Sequence, residues 1–351
     1  MTPKRILLTI PNFKTAGSQY VVLALFRLLD RALFDPYVLV EKFPDSFPPE
    51  IPKEKQLHIQ YTGNTRKDIQ LLAQLLKEYQ FPMLHSWDYR SKPVEALACR
   101  RVGTKYLFTK KNNAWSKRWW LKSMLAHHIV YDNPEMDHRF FSGWPLHKKA
   151  TFIPHGVDTN VFKPFERQPH DGFKICCVGN IGKNKNQIIL LQALTQLPET
   201  VSVHLYGKED KSYRAHLNGF VAENKLTHRV FFEGVVPNEE LPKVLNQYDL
   251  FVLPSFNEGF PVSVLEAMAC GIPVLASDSG GGTRHILGAE SPYIFDPKDS
   301  TALLKGIHKI METPATELEE MVSKGRKRVV DTFTQLQEAN AYAALYQKLV
   351  N

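Results

Sequence analysis

No run of about 18 apolar residues occurs in this sequence, so no membrane-spanning helix is expected. The apolar stretch near the N-terminus, Ile6 to Ile10, is too short for a signal-peptide core. It reads as a first buried strand. The four cysteines, Cys99, Cys176, Cys177 and Cys270, include no Cys-x-x-Cys pair. That spacing speaks against a zinc site or a dithiol centre and predicts packed thiols in a reducing compartment. Low-complexity tracts and short fixed-period repeats are also missing, which argues against solenoid architectures.

What is present suits a globular enzyme. At 351 residues the chain is long for one core and fits two domains. Net charge is +8, unevenly spread. Residues 1–170 hold 26 Lys and Arg against 15 Asp and Glu; the remainder holds 18 against 21. A basic first half suggests an anionic partner: a phosphorylated ligand, lipid headgroups or nucleic acid.

Apolar runs alternate with helical patterns. Strands are predicted at Arg5–Ile10, Tyr37–Val40, Pro82–His85, Tyr106–Thr109 and Ile129–Tyr131, with helices over Gly17–Asp30 and Arg66–Tyr79. The second half repeats the scheme at Phe173–Val178, Val201–Tyr206, Val230–Phe232, Leu250–Leu253 and Pro273–Ala276. Such alternation predicts parallel sheets with right-handed crossovers and a ligand crevice at the strands' carboxyl ends. The polar, proline-bearing stretch Lys163–Gly172 reads as the boundary, and 331–351 as one last helix.

The densest chemistry lies in SFNEGFPVSVLEAMACGIP, residues 255–273. Pro261 suits a first helical turn, and Gly271 a helix end. The short helix between them turns free N–H groups toward the Gly259-Phe260 turn, which favours an anion such as phosphate. Glu258 stands beside that terminus. Glu266 lies inside an apolar helix, where a carboxylate needs donors, and sugar hydroxyls are suitable ones.

This Glu-x7-Glu pattern resembles that of retaining glycosyltransferases of the GT-B fold, family four in particular. The resemblance implies two facing Rossmann-like domains with a cleft between them: 1–165, joined by 333–351, on the acceptor side, and 172–332 on the donor side. It implies a nucleotide-diphosphate sugar as co-substrate, no other cofactor, and no metal, since no Asp-x-Asp motif appears. Glu258 would take the sugar role and Glu266 the ribose role, with the Gly259-Phe260-Pro261 backbone near sugar and phosphate. Val178-Gly179-Asn180-Ile181-Gly182-Lys183-Asn184-Lys185 resembles the family's diphosphate loop, so Lys185 is the phosphate lysine. Together with Glu258 it is a catalytic candidate. Asn180 stands where arginine is common, and Arg284 is a candidate for the missing cation. Thr151 to Asp158 resembles a hinge-side motif with His155 in place of asparagine.

The first half matches less closely. Ala16-Gly17-Ser18-Gln19 resembles a turn approaching the donor phosphates, which makes Gly17 a donor-side residue. Lys111 falls where the family carries a histidine near the reacting centre. His85, Lys111 and Asn112 are the acceptor-side candidates.

Residues 110–122 hold five basic residues, three tryptophans and no acid. They suit an anionic membrane surface; the competing reading is a core helix with a solvated basic edge. No nucleic-acid motif accompanies them. The function expected is transfer of a sugar, with retention, to a glycan or lipid-linked acceptor in polysaccharide or lipopolysaccharide assembly. The expected location is cytoplasmic, peripheral at the inner membrane face. The alternatives are a non-catalytic nucleotide-sugar binder and a sugar-nucleotide epimerase of the same fold.

Overall fold

A computed structural model describes the chain except for Met1, Thr15, Ala16, Tyr89, Ser91, Asn112, Asn113 and Asn351. It divides into two compact units, Met1–His155 with Gln335–Asn351, and Gly156–Thr334.

The first unit is built on seven parallel strands: β1 Lys4–Ile10, β2 Phe34–Val40, β3 Gln56–His58, β4 Met83–Ser86, β5 Lys105–Lys110, β6 His128–Tyr131 and β7 Ala150–Phe152. Their order is β3-β2-β1-β4-β5-β6-β7. Both faces are covered, which is why β1 reads as a continuous apolar run. Ile6 and Leu8 enter a core shared with helices Ser18–Leu28 and Gln335–Val350. Leu7, on the opposite face, packs with Leu72, Leu76, Ala96 and Cys99 of helices Thr65–Glu78 and Val94–Val102.

The second unit carries β8 Phe173–Val178, β9 Val201–Tyr206, β10 Val230–Gly234, β11 Leu250–Leu253, β12 Val274–Ser277 and β13 Ile294–Phe295, in the order β10-β9-β8-β11-β12-β13. In each sheet the order reverses once, between β1 and β4 and between β8 and β11. A crevice opens at such a switch point outside the strands' carboxyl ends. Helix Gln187–Leu194 behind β8 is almost wholly buried, so it lacks an amphipathic period.

Two expectations shift. The stretch Lys163–Gly172 is no free linker, because it straps the second unit. Asn246 accepts from the Phe165 amide at 2.8 Å and donates to the Lys163 carbonyl at 3.0 Å. Pro164 lies against Gly271. The division falls at His155–Gly156 instead. The single last helix is two: Ala315–Thr332 stops, and Gln335–Val350 begins after Phe333 and Thr334. Phe333 is buried at the junction beside Phe260 and His285. The second helix packs on the first sheet, with Tyr342 and Tyr346 fully buried there.

Among the described residues no helix is long and apolar enough to cross a membrane.

Candidate functional site

Four carboxyl ends meet in the second unit. After β8 the chain passes Gly179; after β9 it passes Gly207. A Cβ on Gly207 would lie 2.2 Å from the Gly179 carbonyl, and its φ of +137° is a glycine conformation. The two loops therefore close on each other only because position 207 has no side chain. The β8 loop then makes a tight turn through Lys183–Lys185 and reaches Asn186 in the left-handed region, φ +54°. Asparagine tolerates that backbone. The buried Asn186 amide donates to the carbonyls of Pro254 at 3.1 Å and Pro297 at 2.8 Å. It ties the β8 loop to the end of β11.

Further bonds align the two loops. The Phe256 amide donates to the Asn184 carbonyl, and the Asn184 side chain to the Asn257 carbonyl, both at 2.8 Å. Lys185 and Glu258 are thereby brought together from 73 positions apart. The ammonium meets Glu258 Oε1 at 2.6 Å. The Glu258 amide in turn donates to the Ser279 carbonyl at 2.8 Å, at the end of β12.

The Gly259-Phe260-Pro261 turn leads into helix Val262–Ala269, which stops at Gly271 with φ +73°. Phe260 turns inward, 7% exposed, and Pro261 is buried beside it, while Gly259 is partly exposed. Helix Gly281–Leu287 docks on the same turn. A Cβ at Gly282 would stand 2.4 Å from the Gly259 carbonyl. The triple glycine 280–282 signalled this close approach in the sequence, yet Gly282 was not among the expected site residues.

Glu266 is partly exposed, and desolvation alone pushes its carboxyl up to about 7. Among the described residues no side chain donates a hydrogen bond to it. Among the described residues the fully buried Ser255 Oγ has no hydrogen-bond partner, although the Ser255 carbonyl accepts from Ser277 at 2.6 Å. Arg284, the candidate for the missing cation, pairs with Asp278 just after β12. Asp278 holds its guanidinium at 2.7 and 3.0 Å, and its remaining arm donates to the Ala289 carbonyl.

The first-unit candidates separate. His85 is fully buried, with Nδ1 2.6 Å from the Tyr346 hydroxyl and Nε2 2.8 Å from the Thr109 hydroxyl. Both nitrogens are occupied and burial lowers its pKa. The expected acceptor contact thus gives way to a core histidine. Lys111 is partly exposed at the end of β5. It donates to the Ser18 hydroxyl and, at 3.0 Å, to the Trp87 carbonyl. Desolvation lowers its ammonium to about 8, against the pull of Asp132 and Asp88. Gly17 precedes the helix starting at Ser18 with ordinary helical angles, and a Cβ there would meet nothing within 4 Å. No steric demand for glycine exists at that position. Asn112 lies outside the described residues.

His155 is tied down inside the first unit. Its ring sits between Glu338 Oε1 at 2.9 Å and Asp132 Oδ2 at 3.2 Å. Burial opposes its charge, but the two carboxylates raise its pKa to about 10. Among the described residues no group of side chains suited to a metal ion occurs.

Two Rossmann-like units, each an α/β unit with a parallel sheet whose strand order reverses once, match the GT-B class of folds. Residues 158–328, in the second unit, match the family Glycosyl transferases group 1. The lipopolysaccharide core biosynthesis mannosyltransferase LpcC of Rhizobium leguminosarum bv. viciae is 28% identical over 270 residues, 71% of this chain and 73% of that protein. The 2-deoxystreptamine glucosyltransferase of Streptomyces kanamyceticus is 30% identical over 190 residues, 53% of this chain and 47% of its own length. The chain spans about half the length of several curated relatives it matches. Among solved structures, a Rickettsia africae glycosyltransferase superposes with a TM-score of 0.87 at 17% identity, covering 100% of both chains. Anabaena HepE, solved in complex with UDP, gives 0.83 at 16% identity over 98% of this chain and 100% of its own. At such identities the likeness speaks for the fold alone.

Proposed function

We propose that the protein is a glycosyltransferase. It moves a sugar, with retention at the anomeric carbon, from a nucleotide-diphosphate sugar to a glycan or lipid-linked acceptor in cell-surface polysaccharide or lipopolysaccharide assembly. The observation that carries this reading is the 2.6 Å contact between Lys185 and Glu258 at the switch point, with Glu266, whose carboxyl accepts from no side chain among the described residues, on the helix that follows. A diphosphate beside Lys185 would exchange one anion for another. The ribose diol would supply the donors that Glu266 lacks, and Glu258 would turn to the hydroxyls of the transferred sugar.

In this reading the bond between the anomeric carbon and the diphosphate oxygen breaks, and its electron pair leaves with the diphosphate. The Lys185 ammonium and the backbone N–H groups around Gly259–Pro261 stabilise that charge. The acceptor oxygen bonds to the same carbon, and its proton passes to the departing diphosphate. Lys185 supplies the positive charge that a divalent ion provides in enzymes with paired aspartates, so turnover in EDTA is expected. Relatives that carry names in lipopolysaccharide core and colanic acid biosynthesis support the acceptor class. A 27% identical relative named as GDP-mannose-dependent supports the donor class. The four buried free thiols suit a reducing, cytoplasmic compartment.

The test is a thermal-shift panel of nucleoside diphosphates and their sugars, followed by turnover with the stabilising donor. A ligand at 100 times its Kd should stabilise the native state by about 2.7 kcal/mol. Lys185→Ala should abolish the shift, and Glu258→Gln should keep nucleotide binding while losing turnover. Absence of any shift, or a donor isomerised without acceptor, overturns the reading.

A further inference from the structure

The basic, tryptophan-bearing stretch 110–122 does not form one surface. Lys110 and Lys122 are fully buried, and Lys111 bonds to Ser18 and Trp87. Trp119 is buried, and Trp115 stacks on Phe140 at 4.7 Å ahead of helix Lys117–Leu125. The outward groups of that helix are Lys117, Arg118, Trp120 and Leu121.

A second segment completes the face. Residues 138–149 run beside the helix: Phe140 stacks on Trp115 at its start, and Lys149 donates to the carbonyls of Met124 and Ala126 at its end. Between these anchors stands Trp144, 78% exposed, while Trp120 is 52% and Leu121 43% exposed. Arg139, His147 and Lys148 are exposed on the same segment. No Asp or Glu occurs from Ala96 to Tyr131, nor from His138 to Val157. The field at this edge is positive: His127 is lowered by burial and then by Lys105, Arg100 and Lys149.

We infer that this face, formed by Trp120, Leu121 and Trp144 within a ring of Lys117, Arg118, Arg139 and Lys148, docks on an anionic lipid surface. Tryptophan is amphipathic and settles at headgroup depth, while neighbouring cations are drawn to anionic headgroups. Exposed apolar groups surrounded by one sign of charge suit a bilayer interface better than bulk water. Charge complementarity therefore selects the occupant. The proposal stands on the first unit alone and does not depend on the donor-site reading.

The test is partitioning of the full chain onto vesicles of phosphatidylglycerol and phosphatidylcholine at low salt, with brominated lipid as a quencher. Trp87 and Trp119 are buried and Trp115 is half-covered, so quenching reports mainly Trp120 and Trp144. Binding should require the anionic lipid and weaken as salt rises. Trp120→Ser with Trp144→Ser should lower partitioning at least tenfold and remove the quenching. Lys117→Glu with Arg118→Glu should weaken binding even with both tryptophans present. These positions are exposed, so unfolding temperature and nucleotide binding should stay unchanged, which separates failure here from failure of the transferase reading. No partitioning at low salt overturns the proposal. So does wild-type binding in the double tryptophan variant, a tryptophan-dependent dimer, or displacement of the vesicles by single-stranded RNA bound through the same residues.

Discussion

Replacing Glu266 by glutamine removes a carboxyl that the fold desolvates. Its pKa rises from 4.5 to about 7. That change corresponds to roughly 3 kcal/mol against the ionised form, and partial exposure reduces it to about 1.5 kcal/mol. The sign follows from linkage: a raised carboxyl pKa leaves the native state fully favoured below the unfolded value, and that stability is lost as pH rises through about 7. Glu266→Gln should therefore match the wild type near pH 4.5 and exceed it by about 1.5 kcal/mol at pH 8. Denaturant titration across this range reads the difference directly. Function should move the other way. Ribose hydroxyls bind the carboxylate, so nucleotide binding should release about half a proton at pH 7. Calorimetry in buffers of different ionisation heat measures that fraction, and the glutamine variant should release none from this site. A variant no more stable than wild type at pH 8 would refute the desolvation argument. Unchanged proton release in the variant would refute the ribose role.

Gly282→Ala places a methyl 2.4 Å from the Gly259 carbonyl. It should cost about 1–3 kcal/mol in chemical denaturation and lower donor turnover more than fold stability predicts, because it displaces the turn beside Glu258. His155→Asn leaves Asp132 and Glu338 without their buried cation and should destabilise by about 3 kcal/mol. Because the His155 pKa is raised to about 10, the wild-type advantage should be full below about pH 6.5 and fade as pH climbs toward 10; a flat pH dependence would contradict it. Lys111→Met removes an ammonium held near 8 by desolvation, so the variant should melt higher at pH 7, with the gain vanishing by pH 10.5. If it melts lower at pH 7, the bonds to Ser18 and Trp87 outweigh the desolvation.

Legibility in the sequence tracked the range of the interaction. The strand at Phe173–Val178 and the helix after Pro261 follow from apolar period, proline and glycine within a few residues, and both formed close to their expected bounds. His85 shows the opposite case. It sits at the end of a strand, where ligand-facing residues are expected, but Tyr346 and Thr109 occupy its nitrogens from 261 and 24 positions away. Helix Gln187–Leu194 has a clear hydrophobic run, yet only the sheet in front and the helices around it explain why no polar face remains.

The tryptophan stretch divides in the same way. Its composition announces a basic, aromatic element, while tertiary packing decides that Lys110 and Lys122 turn inward and that Trp144, outside the stretch, is exposed as Trp120 is. By itself the sequence determined the alternation of strands and helices, the glycine and proline punctuation of the loops, and the set of charged groups at their ends. These depend on backbone stereochemistry and local hydrophobic period. Tertiary structure alone decided that Lys185 meets Glu258, that Glu266 is desolvated with no side-chain donor among the described residues, that His155 is held between Asp132 and Glu338, and that the last helix packs with the first sheet. The physical reason is common to all four. Pairing and desolvation arise when distant segments exclude water together, and no local pattern encodes that distance.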